Sequence, residues 1–309
     1  MDSVATVLAR EFPDREPQAV EPVSRGNRKR TVLVDFATEG VAVQFSPRVD
    51  ALRVEAALAQ AVSERTTVPV PTVLATGTVG EMGYVVAERA SGSTLHERFV
   101  DLSDGEQATV TRSFGRWLAA CHGAFTFDGY GPLALDDGEL VATEMDWQAW
   151  LDSYLTAGLN ALPEPLADLR GDSETAIVAA GRPESPPSCL FPWDLRPGNA
   201  LYDETETPSV TAVLDWGEPL AAPPALSAAK TEHLVCDWYV EERGPLRSAF
   251  RAGYRTVRPW PDPSRADRLL AVVRSAVDSR GEVTRPGYPE RTGEAAVRFH
   301  RERLRALLP

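Results

Sequence analysis

Lysine is nearly absent. It occurs only at Lys29 and Lys230 in 309 residues, and arginine supplies the rest of the 32 basic side chains against 45 acidic ones. The resulting formal charge of −13 means that a phosphate backbone or an anionic bilayer surface would be repelled by most of this molecule, which argues against nucleic-acid and membrane partners. Cysteine is also scarce: Cys121, Cys189 and Cys236 are odd in number and widely spaced. That spacing has no zinc-ligand rhythm and suits a reducing cytoplasm better than a disulfide framework. No apolar run reaches the ~20 residues that span a bilayer, and the first residues, MDSVATVLAREFPDRE, are charged throughout, so a soluble cytoplasmic protein is expected.

The remaining composition is that of a globular protein, with 43% hydrophobic and 25% charged residues. The length predicts two lobes or two small domains rather than one core. Val32 to Phe36 and Val41 to Phe45 are β-branched runs joined by Ala37-Thr38-Glu39-Gly40, a hairpin signal. From about Asp50 a helix is predicted by Leu52, Ala56, Ala59 and Val62, and a second hairpin follows with Val73 to Ala75 and Tyr84 to Ala87. The order is strand, strand, helix, strand, strand. Beyond residue 96 the period lengthens to that of helices. Ser103 with Glu106 forms a capping-box signature ahead of Phe114, Leu118 and Cys121, and Trp147, Trp150, Leu151, Tyr154 and Leu155 mark another amphipathic helix. Residues 161–188 read as a Pro-, Gly- and acid-rich connection with some helix inside it, and the last eighty residues as helices broken at 258–263 and 286–289.

The densest chemical signal is Phe191-Pro192-Trp193-Asp194-Leu195-Arg196-Pro197-Gly198-Asn199, then Ala200 to Tyr202, a polar turn, and Val210 to Asp215-Trp216-Gly217. Two apolar runs about a polar turn make a hairpin, and Asn199 and Asp215 lie symmetrically about position 207, so they are expected side by side at its open end. An amide oxygen and a carboxylate converging there suit magnesium, which takes hard oxygen ligands and leaves its other positions to water and phosphates. Asp194, on a turn stiffened by Pro197 and Gly198, would face an acceptor hydroxyl as base. Such residues also serve merely to close tight turns.

These residues resemble the catalytic loop and the Asp-Phe-Gly metal segment of protein kinases and of the aminoglycoside phosphotransferase and choline kinase-like family. The resemblance implies an α+β, bilobal, protein-kinase-like fold. A small antiparallel-sheet lobe with one helix would occupy residues 1–90, a hinge would lie near 87–92, and a larger, mainly helical lobe over 93–309 would carry catalysis and the acceptor. It implies Asp194 as the catalytic aspartate, Asn199 and Asp215 as magnesium ligands, and Arg196 where many kinases have a phosphate-contacting lysine. Ser24-Arg25-Gly26-Asn27 falls at the nucleotide loop, with Ser24 and Asn27 as its binding residues. Glu55 takes the place of the ion-pairing glutamate. In the hinge, the Glu88 carbonyl and the Ala90 amide would pair with adenine. His122, ending the Phe114-to-His122 stretch, is expected to be structural.

Two positions depart from the pattern. The strand lysine that binds the α- and β-phosphates is replaced by Gln44, which leaves Glu55 without its usual partner, and Pro192-Trp193 replaces the His-Gly before the aspartate. The function implied is transfer of the γ-phosphate of ATP or GTP, with Mg2+, to a hydroxyl of a small molecule. The alternative, which Gln44 favours, is a pseudokinase that binds a ligand or partner without transfer. Glu218 and Asp237 are candidates to attract a cationic acceptor or belong to a solvated acidic face, and Trp193, Trp216 and Trp238 either wall the pocket or fill the core. The acid-rich, lysine-poor composition resembles that of a haloarchaeal member, and a GC-rich genome would favour arginine over lysine equally well.

Overall fold

The computed structural model describes residues 3–23, 29–181, 183–204, 209–278, 281–285 and 287–309. A helix absent from the expectation, α1 (Ser3–Glu11), opens the chain. Its Val4, Val7 and Leu8 recur at helical spacing and close one face of a sheet built from β1 (Ala19–Val23), β2 (Arg30–Asp35) and β3 (Gly40–Ser46). After α2 (Val49–Arg65) the sheet is completed by β4 (Val73–Val79) and β5 (Met82–Glu88), in the antiparallel order β1-β2-β3-β5-β4. Val32, Val34, Val41, Val43 and Phe45 share the face covered by α1. The period-two alternation therefore turns Thr31, Ala42 and Gln44 to the other face. Helix α2 lies there, with Leu52 and Ala56 against Val85. Its Leu58, Ala59 and Val62 join Phe114 and Leu118 in the main apolar cluster, so one helix ties the sheet lobe to the helical lobe.

Short β6 (Ser93–Thr94) and α3 (Leu95–Arg98) follow the connection after β5. Gly92 is obligatory in that connection: its φ is +104°, and a Cβ there would lie 2.7 Å from the Tyr202 carbonyl oxygen. Helix α4 (Asp104–Ala124) begins with the expected reciprocal cap, Ser103 N–H donating to Glu106 Oε2 at 2.9 Å and Glu106 N–H to Ser103 Oγ at 3.4 Å. The strands that come next had no counterpart in the expected order of elements. Short β7 (Thr126–Phe127) precedes a hairpin of β8 (Tyr130–Asp136) and β9 (Glu139–Glu144). Asp137 and Gly138, with φ of 47° and 85°, make its two-residue turn, and the Asp-Gly pair between apolar runs was its sequence signal.

Helices α5 (Trp147–Ala161) and α6 (Arg170–Ala179) lead to β10 (Ser188–Phe191), which feeds the catalytic-loop sequence. The hairpin β11 (Ala200–Asp203) and β12 (Ser209–Val213) then forms a three-stranded sheet with β6, and β13 (Leu220–Ala222) joins β10, β7, β8 and β9 in another. Helices α7 (Pro224–Cys236), α8 (Arg243–Arg255), α9 (Arg265–Val273) and α10 (Gly293–Leu307) complete the helical lobe. No helix among the described residues is long and apolar enough to cross a membrane.

Candidate active site

Strand β10 is wholly buried and delivers Asp194 to a loop that folds back on itself. Asn199 Nδ2 donates to the Asp194 carbonyl at 2.9 Å and to its carboxylate Oδ2 at 3.2 Å. Arg196 Nε donates to Asp194 Oδ1 at 3.0 Å. The Arg196 guanidinium also contacts Tyr239 and lies 5.5 Å from the Trp238 ring centre, so its side chain is turned into the loop. Gly198 permits this: a Cβ there would come within 2.2 Å of Arg196 Nη1. From α7, Lys230 donates to the Trp193 carbonyl at 2.7 Å and sits 3.5 Å over the Trp193 ring.

The charges follow from these contacts. Burial alone would raise the Asp194 carboxyl, but the Arg196 and Lys230 cations and the hydrogen bonds from Arg196 and Asn199 hold it below its ordinary value. Asp194 is therefore a fixed carboxylate. Lys230 pays for its enclosure with an ammonium pKa lowered to about 7, chiefly by burial.

The β11–β12 hairpin corrects the expected symmetry by one residue. Ala200 pairs with Val213, the register shifts at Leu201/Tyr202, and Leu214 N–H donates to the Asn199 carbonyl at 2.7 Å. Asn199 therefore faces Leu214, and Asp215 is the next residue out. A left-handed φ of 60° redirects the chain at Asp215, an unusual conformation for a residue with a Cβ and one that concentrates at functional sites. Asp194 and Asp215 border one small cavity with Pro192, Trp193, Leu214 and Trp216. With its amide nitrogen engaged by Asp194, Asn199 keeps its side-chain oxygen as an acceptor, and Asp215 offers a half-exposed carboxylate. No group of three or more His, Cys, Asp or Glu could cage a metal among the described residues. An amide oxygen and a carboxylate are hard oxygen donors, a set that suits magnesium carried on phosphates.

Across the cleft, Glu55 lacks a lysine partner at position 44 but has another cation. Lys29, just before β2, donates to Glu55 Oε1 at 2.5 Å and to Asp215 Oδ1 at 2.8 Å. Burial works against this ammonium, but Asp215 and Glu55 outweigh it and raise the Lys29 pKa above the ordinary lysine value. Gly217 lies beneath the pair, where a Cβ would stand 3.2 Å from Glu55 Oε2. Gln44 is on β3 opposite Thr31, on the same face of the sheet. Glu88 ends β5 with its N–H on the Thr72 carbonyl, and Ala90 follows two residues later. Ser24 and Asn27 lie outside the described residues.

The remaining candidates are accounted for by packing. His122 is fully buried between Tyr254 Oη at 2.8 Å and Ser227 Oγ at 2.9 Å, and burial lowers its pKa to about 3, so it is neutral and structural. Asp237 is neither a solvated acid nor open to an acceptor: it is enclosed by His233 at 2.8 Å, Arg247 at 2.8 Å and Arg303 at 3.0 Å. Glu218 pairs with Arg48 at 3.2 Å. Trp216 and Trp238 are buried, whereas Trp193 is half-buried under Lys230. Sequence reasoning gave no role to Lys29 or Lys230, although the one signal for both, their being the only lysines, was in plain view.

A sheet lobe joined to a helical lobe, with an aspartate loop and an Asp-Trp-Gly segment meeting at the cleft, defines a protein-kinase-like phosphotransferase fold. Residues 19–269 match the signature of the phosphotransferase enzyme family designated APH, and the chain belongs to that family. No curated protein sequence matches it significantly. Among solved structures it is similar to aminoglycoside phosphotransferase APH(4)-Ia, with TM-score 0.71 at 18% identity over 99% of this chain and 97% of that one. A thermostable mutant of the same enzyme, in ternary complex with AMP-PNP and hygromycin B, gives TM-score 0.68 at 17% identity over 99% and 98%. The GDP complex of aminoglycoside 2'-phosphotransferase-IIIa gives 0.66 at 15% over 98% and 97%.

Proposed function

We propose that the protein transfers the γ-phosphate of ATP or GTP to a hydroxyl of a small molecule held over Asp194 by the helical lobe. The observation that carries this reading is the Asp194 carboxylate, fixed by Arg196 and Asn199 and sharing a cavity with Asp215. Asp194 orients the acceptor hydroxyl and takes its proton as the oxygen bonds to phosphorus and the bond to the nucleoside diphosphate breaks. Arg196 and Lys230 keep Asp194 ionised, so Arg196 is a positioning residue. A bound magnesium ion, held by Asn199 and Asp215, would neutralise charge on the β- and γ-phosphates. The sheet lobe, residues 1–90, would bind the nucleotide. Ser24 and Asn27 would lie at its phosphates, Gln44 and Glu55 would line the cleft, and the Glu88 carbonyl and Ala90 N–H would meet the base. A pseudokinase is the second reading, favoured by Gln44 in place of the strand lysine; the Lys29–Glu55 contact supports transfer instead, because it gives Glu55 a cationic partner.

The test is a screen of sugars, amino sugars, amino alcohols and nucleosides for label received from γ-labelled ATP and GTP, repeated with Asp194→Ala. Transfer that disappears in the variant while nucleotide still binds supports the reading. Undiminished transfer by Asp194→Ala removes Asp194 from the mechanism.

A further inference from the structure

We infer that Lys29 is the phosphate-anchoring lysine of this enzyme, supplied from the start of β2 instead of from Gln44 on β3. This rests on the phosphotransferase reading and adds to it a residue that no sequence pattern assigned.

The register makes the substitution geometrically coherent. Arg30 pairs with Phe45 and Thr31 with Gln44, so the backbone of residue 29 continues one step beyond, beside Ser46. On β2 the side chains of Val32 and Val34 point to the α1 side of the sheet. Alternation then places Leu33, Thr31 and Lys29 on the opposite side, together with Ala42 and Gln44. Lys29 and Gln44 thus open from neighbouring strands onto one face, the face that looks across at α2 and the Asp215 segment.

The contacts of Lys29 agree with that placement. Its ammonium touches the one glutamate that α2 presents to the cleft and the one carboxylate of the Asp-Trp-Gly segment, at 2.5 and 2.8 Å. A cation spanning these two groups marks where negative charge on a nucleotide would lie once Asp215 turns to a metal. Glu55 remains to hold the lysine in place. Gln44 is uncharged and can only donate a neutral hydrogen bond to phosphate, weaker than a charge-assisted one. The sequence's other lysine, Lys230, is committed to the Trp193 carbonyl and ring on the far side of Asp194.

The experiment is calorimetric titration of ATP and GTP with magnesium into wild type, Lys29→Met, and Lys29→Met/Gln44→Lys, with turnover measured on the same samples. Lys29→Met is expected to weaken nucleotide binding on the order of 10- to 100-fold, the size of one charge-assisted hydrogen bond. Adding Gln44→Lys is expected to recover at least part of that loss, because both positions open on the same phosphates. Met at position 29 strands a buried Glu55 carboxylate, so Lys29→Met/Glu55→Gln, which removes that buried charge and leaves only the half-exposed Asp215 without its ammonium partner, controls for misfolding and should show the same weakening. Nucleotide affinity equal to wild type in this control, or no gain from Gln44→Lys, overturns the assignment while leaving the phosphotransferase reading intact. Failure of the wild type to bind either nucleotide overturns both.

Discussion

Replacing Asp194 with asparagine changes one atom of the site and exposes what its charge does. Both carboxylate oxygens are acceptors, Oδ1 from Arg196 at 3.0 Å and Oδ2 from Asn199 at 3.2 Å. An asparagine amide has one acceptor and one donor, so in either orientation its NH2 faces a donor. In a buried site an unmet donor costs about 1–3 kcal/mol. The Asp194 side chain is 27% exposed and water can reach it, so the lower end applies and the fold should survive. The chemical cost is larger. Loss of a positioned proton acceptor lowers turnover by about 10²- to 10⁴-fold, or ~3–5 kcal/mol at ~1.4 kcal/mol per decade. Nucleotide affinity should stay within about threefold, a change of ~0.6 kcal/mol, because the contacts of Asp194 are to its own loop. Single-turnover transfer to an acceptor from the screen, beside calorimetry of the same sample, separates the two quantities. Turnover within tenfold of wild type would refute the assignment of Asp194 as base. A parallel fall in affinity would show instead that the loop had collapsed.

Two further expectations concern the scaffold of the site. Burial sets the Lys230 pKa at about 7 in the folded protein, below its ordinary value of 10.5, so between those pH values the unfolded chain binds more protons and stability rises with pH. The stability advantage of wild type over Lys230→Met should therefore grow as pH rises from 7 towards 10, as read by urea melts at pH 6.5, 8 and 9.5. A gap independent of pH would contradict the lowering of the Lys230 pKa by burial. At the crossing of α4 and α8, a Cβ on Gly115 would come within 2.0 Å of the Phe250 carbonyl oxygen. Backbone cannot rotate away as a side chain can, so Gly115→Ala should destabilise by about 1–3 kcal/mol despite its better helix propensity. An unchanged melting temperature would mean that the helices separate freely.

The candidate site residues were more legible than the architecture around them. Asp194, Asn199 and Asp215 occupy a short stretch where proline, glycine and acid are densely placed, and one hairpin joins them, so local sequence carried the signal. The one-residue error at Asn199 arose because the hairpin pairs Asp203 with Ser209, and the bulge at Leu201/Tyr202 makes up only part of the difference between that register and the expected one. Helix α1 was overlooked because its charged residues obscured Val4, Val7 and Leu8. The β8–β9 hairpin was overlooked because helices surround it, although Asp137-Gly138 announced its turn. Lys29 was invisible for a different reason. Its partners are 26 and 186 residues away, so only tertiary folding reveals a cation between Glu55 and Asp215. Asp237 was misread in the opposite sense, because an acid downstream of the metal segment looked exposed until His233, Arg247 and Arg303 were found around it.

Magnesium-dependent nucleotide binding through Asp215 is the property that most directly distinguishes a working phosphotransferase site. ATP and GTP should each be titrated by calorimetry into wild type and Asp215→Ala, with and without magnesium. At least one nucleotide should bind wild type more tightly when magnesium is present, and that gain should vanish in the variant while any metal-independent binding remains. Binding of neither nucleotide to the folded wild type, or a magnesium effect that persists undiminished in Asp215→Ala, would contradict the site described.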